Sequence, residues 1–238
     1  MSIDWHGAWQ AIAHHPLFGV GLTLAAYQLS ISLYEKTRLM FLQPVLVSMA
    51  LVIAVLVPLG IGYEEYRQST TLLTLLLGPA TVALAVPLFL NLKRIRQLFW
   101  PTLITLFIGG LVATVMGVGL AWAFGAEHMM LMTMAPKSVT SPIAMLVAEQ
   151  IGGVAALAAV FVLITGVIGA TLGPELLRRI GVRHPAAQGM ALGITAHAVG
   201  TARALQEGEE CGAFAALAMS LMGVATAVLL PLAVAMVV

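Results

Sequence analysis

Apolar residues run along this chain in long blocks separated by short polar breaks. A helix needs about 20 mainly apolar residues to cross a bilayer. By that measure the pattern predicts eight membrane segments, in whole or part, at about residues 16–33, 41–63, 72–90, 99–124, 129–148, 152–172, 189–205 and 213–237. Of the 238 residues 61% are hydrophobic and only 9% charged, and the mean hydropathy is +1.02. A soluble domain carries about a quarter charged residues, and a water-soluble surface for this much apolar sequence would need far more polar cover. The expected fold is therefore an all-α polytopic membrane protein, one membrane domain over residues 1–238.

Charge orients the segments. Lys36 and Arg38 follow the first, Lys93, Arg94 and Arg96 the third, and Arg178, Arg179 and Arg183 the sixth. Basic loops face the cytoplasm. The opposite loops carry Glu64 and Glu65, then Glu127, then Glu207, Glu209 and Glu210. Alternation holds for four segments, and the sixth must run inward. The fifth then starts and ends outside, as a re-entrant hairpin or two half-helices. Trp5, Trp9, Trp100 and Trp122 fall near predicted ends, where interfacial aromatics belong. A net charge of +1 without a basic stripe gives no nucleic-acid partner, and the single cysteine, Cys211, excludes an intrachain disulfide framework. The polar, aromatic residues 2–15 do not read as a cleavable signal.

That fifth segment holds the strangest chemistry. Residues 134–142 read Met-Ala-Pro-Lys-Ser-Val-Thr-Ser-Pro inside an apolar run. Proline interrupts the helical hydrogen-bond ladder, and in lipid such a break is tolerated only against protein or a wet cavity. A weak internal match adds to this: one common offset places Leu77-Gly78 on Leu192-Gly193 and Phe99 on Phe214. Inverted repeats over about 16–124 and 130–238, with broken helices crossing near the midplane, would be a transporter arrangement. Chance alignment of Leu, Ala and Gly gives the same match without a repeat.

Three stretches carry a resemblance. Leu-Gly-Pro-Ala-Thr-Val-Ala-Leu-Ala-Val-Pro-Leu (77–88), Pro-Lys-Ser-Val-Thr-Ser-Pro-Ile-Ala (136–144) and Gly-Ile-Thr-Ala-His-Ala-Val-Gly-Thr-Ala-Arg-Ala (193–204) resemble the LrgB/CidB family, from about Phe41 to the carboxyl end. The run at 210–219 is similar too, with Ala215 and Ala216 where the family usually has serines. The resemblance implies a protein of the bacterial cytoplasmic membrane. Its bacterial members are called antiholin-like, modulators of murein hydrolase export and lysis paired with a small LrgA/CidA partner. Its plastid members carry glycolate and glycerate, and bacterial relatives have been linked to pyruvate uptake.

The candidate residues follow from cost. A charge at the bilayer centre costs about 2.5–3.5 kcal/mol on insertion scales. Lys137 is thus either a counter-ion for a carboxylate or a solvated amine at the outer mouth. Arg203 clamps a carboxylate or snorkels outward with Glu207. His197 is a proton carrier or hydrogen-bond donor, or a satisfied structural histidine. His197 and Arg203, six residues apart, share a face only if the segment unwinds at Gly200-Thr201. Ser138, Thr140, Ser141, Thr195, Thr201 and Thr81 are hydroxyls for a hydroxy-acid or for helix packing. Pro79, Pro136, Pro142 and Gly200 are read as backbone breaks, and Glu149 as a partner for Lys137 or a solvated end group. No nucleophile–base pair, metal-ligand spacing or phosphate loop is present, so no enzyme, metal or cofactor is expected. The leading expectation is a secondary carrier of small carboxylates, proton-coupled or exchanging, working as a homodimer. The alternatives are an antiholin-like regulator and a passive channel.

Overall fold

A computed structural model describes residues 15, 17–37, 42, 44–83 and 85–237; the side chains of Leu77, Ala80, Thr81 and Val237 lie outside that description, as do Trp5, Trp9 and Arg38. All regular structure among the described residues is helical. The chain divides into two compact units, Met1–Ala83 and Leu84–Val238.

The first unit contains α1 (Phe18–Thr37), α2 (Pro44–Leu59), α3 (Tyr63–Ser69) and α4 (Thr71–Ala83). Gly60, at φ +68°, turns the chain so that α2 and α3 meet at 117°. Glycine takes that conformation without the Cβ clash other residues suffer. Ala26, Val52, Leu56 and Ile61 form its buried cluster, and the Thr23 hydroxyl meets the Tyr66 hydroxyl at 2.7 Å. Pro79 does not break its segment: α4 continues through it. One missing N–H in a membrane helix is tolerated where neighbouring groups re-satisfy the freed carbonyl.

The second unit contains α5 (Ala85–Leu90), α6 (Leu92–Gln97), α7 (Phe99–Ala123), α8 (His128–Met134), α9 (Ser141–Gln150), α10 (Ala155–Arg179), α11 (Pro185–Glu207) and α12 (Glu209–Val237). Among the described residues α7, α10 and α12 are long and apolar enough to cross a membrane, and the bent pair α2–α3 makes a fourth if it counts as one span. Of the eight segments expected in whole or part, three or four are met by such helices. The fifth and seventh segments, expected to be re-entrant or broken, are each split into short halves.

The two splits are built alike. Between α8 and α9 the chain makes turns over 135–140, and the Val154 N–H then donates to the Thr133 hydroxyl at 2.9 Å. The chain leaving α8 has come back to the end of α8. Gly153 permits the return, since a Cβ there would lie 2.7 Å from the Thr133 amide nitrogen.

In α11 the break is His197 itself, with φ 42° and ψ −129°. A Cβ on Gly200 would meet the Leu192 carbonyl oxygen, and Leu192 shares a buried cluster with Ala204. Eight residues along an unbroken helix span about 12 Å, so contact between positions 192 and 200 means that the chain reverses. Residues 185–196 run up one side and residues 198–207 run back. Gly200 is not the break expected of it; it is helical, and its missing side chain lets the second half lie against the first.

The reversal corrects the predicted topology. Glu207, Glu209 and Glu210 do not lie opposite the basic loops. Arg94 Nε donates to Glu210 at 3.1 Å, Asn91 to Glu209 at 3.1 Å, and Arg178 pairs with Glu207 at 3.6 Å. Arg94 also donates to His184 Nε2 at 3.0 Å, so the residue before α11 and the residues after it share one guanidinium. At the other end Val118, Met132, Ile151 and Val234 share an apolar cluster. Thus α7 and α12 run from the basic end to the opposite end, α10 runs back, and each end receives one hairpin.

Close glycine contacts fix α11 against α12: a Cβ on Gly189 or Gly193 would strike the Cys211 or Ala215 carbonyl oxygen. Small residues that let backbones approach are the usual membrane packing device. We expect Gly193→Val to cost about 1–3 kcal/mol by overpacking, a fall of several degrees in the detergent melting temperature. Gly119→Val, with open space around it, leaves the melting temperature unchanged. In a Cys211→Ala background, Gln206→Cys and Arg183→Cys should react with an impermeant maleimide from the same side of a sealed vesicle, and Glu127→Cys from the other. Gln206→Cys labelling together with Glu127→Cys would overturn the reversal.

Candidate functional site

The tips of the two hairpins meet on α10. Val139, at the first tip, is 1% exposed and belongs to the same buried cluster as Val162, Ile194, Phe214 and Ala218. His197, at the second tip, places its Nε2 2.9 Å from the Val162 carbonyl oxygen. That oxygen can only accept, so Nε2 carries a proton and donates it to the bond. A Cβ on Gly166 would sit 2.6 Å from the His197 ring, so glycine there makes the ring's space. Val162 and Gly166 are seven and eleven residues into α10, about 11–17 Å along the helix at 1.5 Å per residue.

The strain at His197 is local and offset. A non-glycine residue at positive φ costs on the order of 1–3 kcal/mol. Against it stand the ring's bond to Val162 and the Thr201 hydroxyl, which donates to the His197 carbonyl at 2.9 Å. Each such bond contributes roughly 0.5–1.5 kcal/mol net. Thr201 also lies 3.7 Å from the Met219 sulfur. His197 and Thr201 are both buried and form a packed apex.

The first tip is more polar. Pro136 is fully buried, and two tight turns follow: the Lys137 N–H bonds the Met134 carbonyl at 3.1 Å and the Val139 N–H bonds the Pro136 carbonyl at 3.3 Å. Thr140 is the N-cap of α9 with no side-chain capping bond, and Pro142 sits in the first turn. There proline's missing N–H costs nothing and its fixed φ favours helix. Pro142 therefore starts α9 rather than interrupting it. Ser138 is buried, and Ser141 opens α9 half-buried.

Lys137 is half-buried, its stem lying across Gly117 of α7 where a Cβ would collide with Cε. Its amine donates at long range, 3.4 Å to the Ala113 carbonyl and 3.3 Å to the Ser138 hydroxyl. Among the described residues no carboxylate is within ion-pair reach, and Glu149 stands exposed at the end of α9.

Arg203 lies elsewhere. Its guanidinium pairs with Glu207 at 2.5 Å and donates to Gln206 at 3.2 Å. Glu207 in turn reaches Arg178. Arg203 is thus one turn from the basic end, while Ala113 beside Lys137 is about 21 Å along α7 from Phe99. The structure does not bring these two cations together. Thr195 gives its hydroxyl to the Ala191 carbonyl at 2.7 Å on the outer face of α11. Thr81 belongs to α4 in the first unit, and its side chain lies outside the described residues.

Three contributors escaped sequence reasoning. Thr133, fully buried, closes the first hairpin, and Gly117 and Gly166 make space for Lys137 and His197. A threonine and two glycines in apolar helices carry no signal of that kind. Arg94 was read only as a loop charge, yet with His184 it ties the base of the second hairpin.

A model of the LrgB-like family matches residues 23–236. The uncharacterised protein YxaC of Bacillus subtilis (strain 168) is 38% identical over 203 residues, which cover 85% of this chain and 88% of that protein. The antiholin-like protein LrgB of Bacillus mycoides (strain KBAB4) is 33% identical over 218 residues, 91% of this chain and 95% of its own. Its namesake in Bacillus cereus (strain B4264) is 32% identical over the same shares. No solved structure matches. Long apolar helices and a family match over residues 23–236 lead to one statement: this membrane protein belongs to the LrgB-like family.

Proposed function

We propose that this chain works as an antiholin-like protein: a multi-pass protein of the bacterial cytoplasmic membrane that modulates murein hydrolase export and lysis with a small LrgA/CidA-type partner. The support is likeness over nine-tenths of the chain to Bacillus proteins that bear the antiholin-like name. The basic end, with Lys93, Arg94, Arg178 and Arg183, faces the cytoplasm in this reading.

A second reading is favoured by one observation, the two hairpins that enter from opposite ends and lie with their tips against the same part of α10. Broken helices crossing near the midplane, in inverted repeats, are how many secondary transporters build a site. In this reading the chain carries small monocarboxylates of the glycolate, glycerate, lactate or pyruvate type by alternating access, coupled to protons or by exchange. Eight segments over repeats 16–124 and 130–238 and a homodimeric scaffold complete it. Amides freed at the starts of α9 and of residues 198–207 point the positive ends of two helix dipoles inward. Lys137 adds a full charge that no described carboxylate neutralises, Ser138, Thr140 and Ser141 read a hydroxyl, and His197 moves the proton.

Two measurements separate the readings. In a strain lacking the native gene, autolysis under penicillin is restored to its wild-type rate by this chain and equally by its Lys137→Ala variant if it acts as an antiholin-like regulator; no effect of either on lysis removes that reading. In proteoliposomes the carrier reading predicts saturable uptake of labelled glycolate, reduced tenfold or more by Lys137→Ala. Flux that is absent, or indifferent to Lys137, ends it.

A further inference from the structure

A cavity of about 430 Å³ lies between α7 and residues 184–195, from His184 near the basic end to Ile194 and Phe214 of the cluster that also holds Val139. Most of its wall is apolar, with Met190, Ile194 and Phe214 at its back. Its polar groups are few and specific. Thr102, in the first turn of α7, lines the cavity, is only 5% exposed, and makes no side-chain hydrogen bond among the described residues. A threonine in a membrane helix usually satisfies itself on the carbonyl one turn back, as Thr195 does on Ala191. The Thr102 hydroxyl does not, so its proton is left to whatever fills the space. Thr105, on the next turn, also lines the cavity and is likewise unbonded through its side chain.

His184 lines the same cavity and has its tautomer fixed by its neighbour. A guanidinium has no acceptor, so in the 3.0 Å contact with Arg94 the imidazole Nε2 must accept. The ring proton then sits on Nδ1 and can be offered to a ligand. The cavity thus sets a few hydroxyl and imidazole donors in a mostly apolar wall, while Arg94, behind His184, stands outside the lining and is paired with Glu210.

We propose that this cavity binds a short-chain aliphatic monocarboxylate, its carboxylate held by Thr102 and His184 and its alkyl chain against Met190, Ile194 and Phe214. The assignment rests on the carrier reading, to which it gives an inner site on the cytoplasmic approach; it differs from that reading in favouring alkyl chains over polyhydroxy acids. Hydroxyls on the ligand chain that lie against Met190, Ile194 and Phe214 would meet only carbon and sulfur there, which is costly. Each methylene that enters the wall should strengthen binding by up to about fourfold.

The test is equilibrium binding by calorimetry, using the full chain in nanodiscs with butyrate, hexanoate and glycerate as probes. Hexanoate should bind saturably and tighter than butyrate, with glycerate far weaker. Thr102→Val, which keeps shape and loses the hydroxyl, should weaken hexanoate about tenfold, and Thr102→Ser should restore most of it. Ala191→Phe, which fills the cavity, should abolish binding, while Gly119→Val, outside the lining and with open space around it, leaves it unchanged. No saturable hexanoate binding, binding indifferent to Thr102→Val, equal binding of glycerate, or displacement only by long-chain lipid would each overturn the proposal. Glycolate uptake that depends on Lys137, without hexanoate binding, would sink this site alone. Hexanoate binding without any uptake would leave the site standing and remove the carrier reading.

Discussion

An amide that leaves its helix inside lipid has only protein to bond with, and the second unit breaks its helices at two buried hairpin tips. The second departure shows what that demands. At His197 the backbone takes a conformation that L residues avoid, and everything around it answers a specific need. Gly166 gives the ring room, the Val162 carbonyl takes the ring proton, and the Thr201 hydroxyl covers the carbonyl that the break releases. Remove any of these and a buried polar group is stranded, at about 1–3 kcal/mol. The first departure follows the same logic with different parts: Thr133 takes the Val154 amide as the chain returns.

Once α11 reverses, the remaining architecture is constrained. Both ends of the hairpin must sit at the basic end, and α12 must start there and finish at the other. Glycines at 189, 193 and 200 then allow three strands of helix to pack as closely as their backbones permit. The hairpin is held unevenly. Its apex is buried and hydrogen-bonded, while its base depends on Arg94–Glu210 and Arg178–Glu207, pairs with much of their side chains in solvent. Exposed ion pairs contribute roughly 0–1 kcal/mol. If one part of this hairpin is to yield, it is the base, where the basic end and the cavity lined by His184 lie.

The same geometry serves both functional readings. A regulator needs a stable membrane body and a partner surface; a carrier needs two gates around one site. The names of the relatives speak for the first, and the paired hairpins for the second. What distinguishes them physically is whether the Lys137 amine, long in its hydrogen bonds, half-buried beside Gly117 and with no carboxylate in reach among the described residues, meets an anion during work.

The sequence by itself determined the class, because apolar content and charge depletion leave no soluble alternative, and its long shared motifs determined the family. It also located the break around Pro136 and Lys137, since prolines and a lysine inside an apolar run have few physical explanations. Only the tertiary structure decided that residue 197 reverses the chain, because the local Thr201 bond is joined by contacts from α10, the Val162 carbonyl and the space beside Gly166, that make a histidine at positive φ tolerable. Likewise the glutamates at 207–210 read as an outer loop while charge is counted along the chain, and as the base of a hairpin once Arg94 and Arg178 are beside them. Apolar periodicity records how far a helix can run in lipid. It does not record where another helix lets it stop.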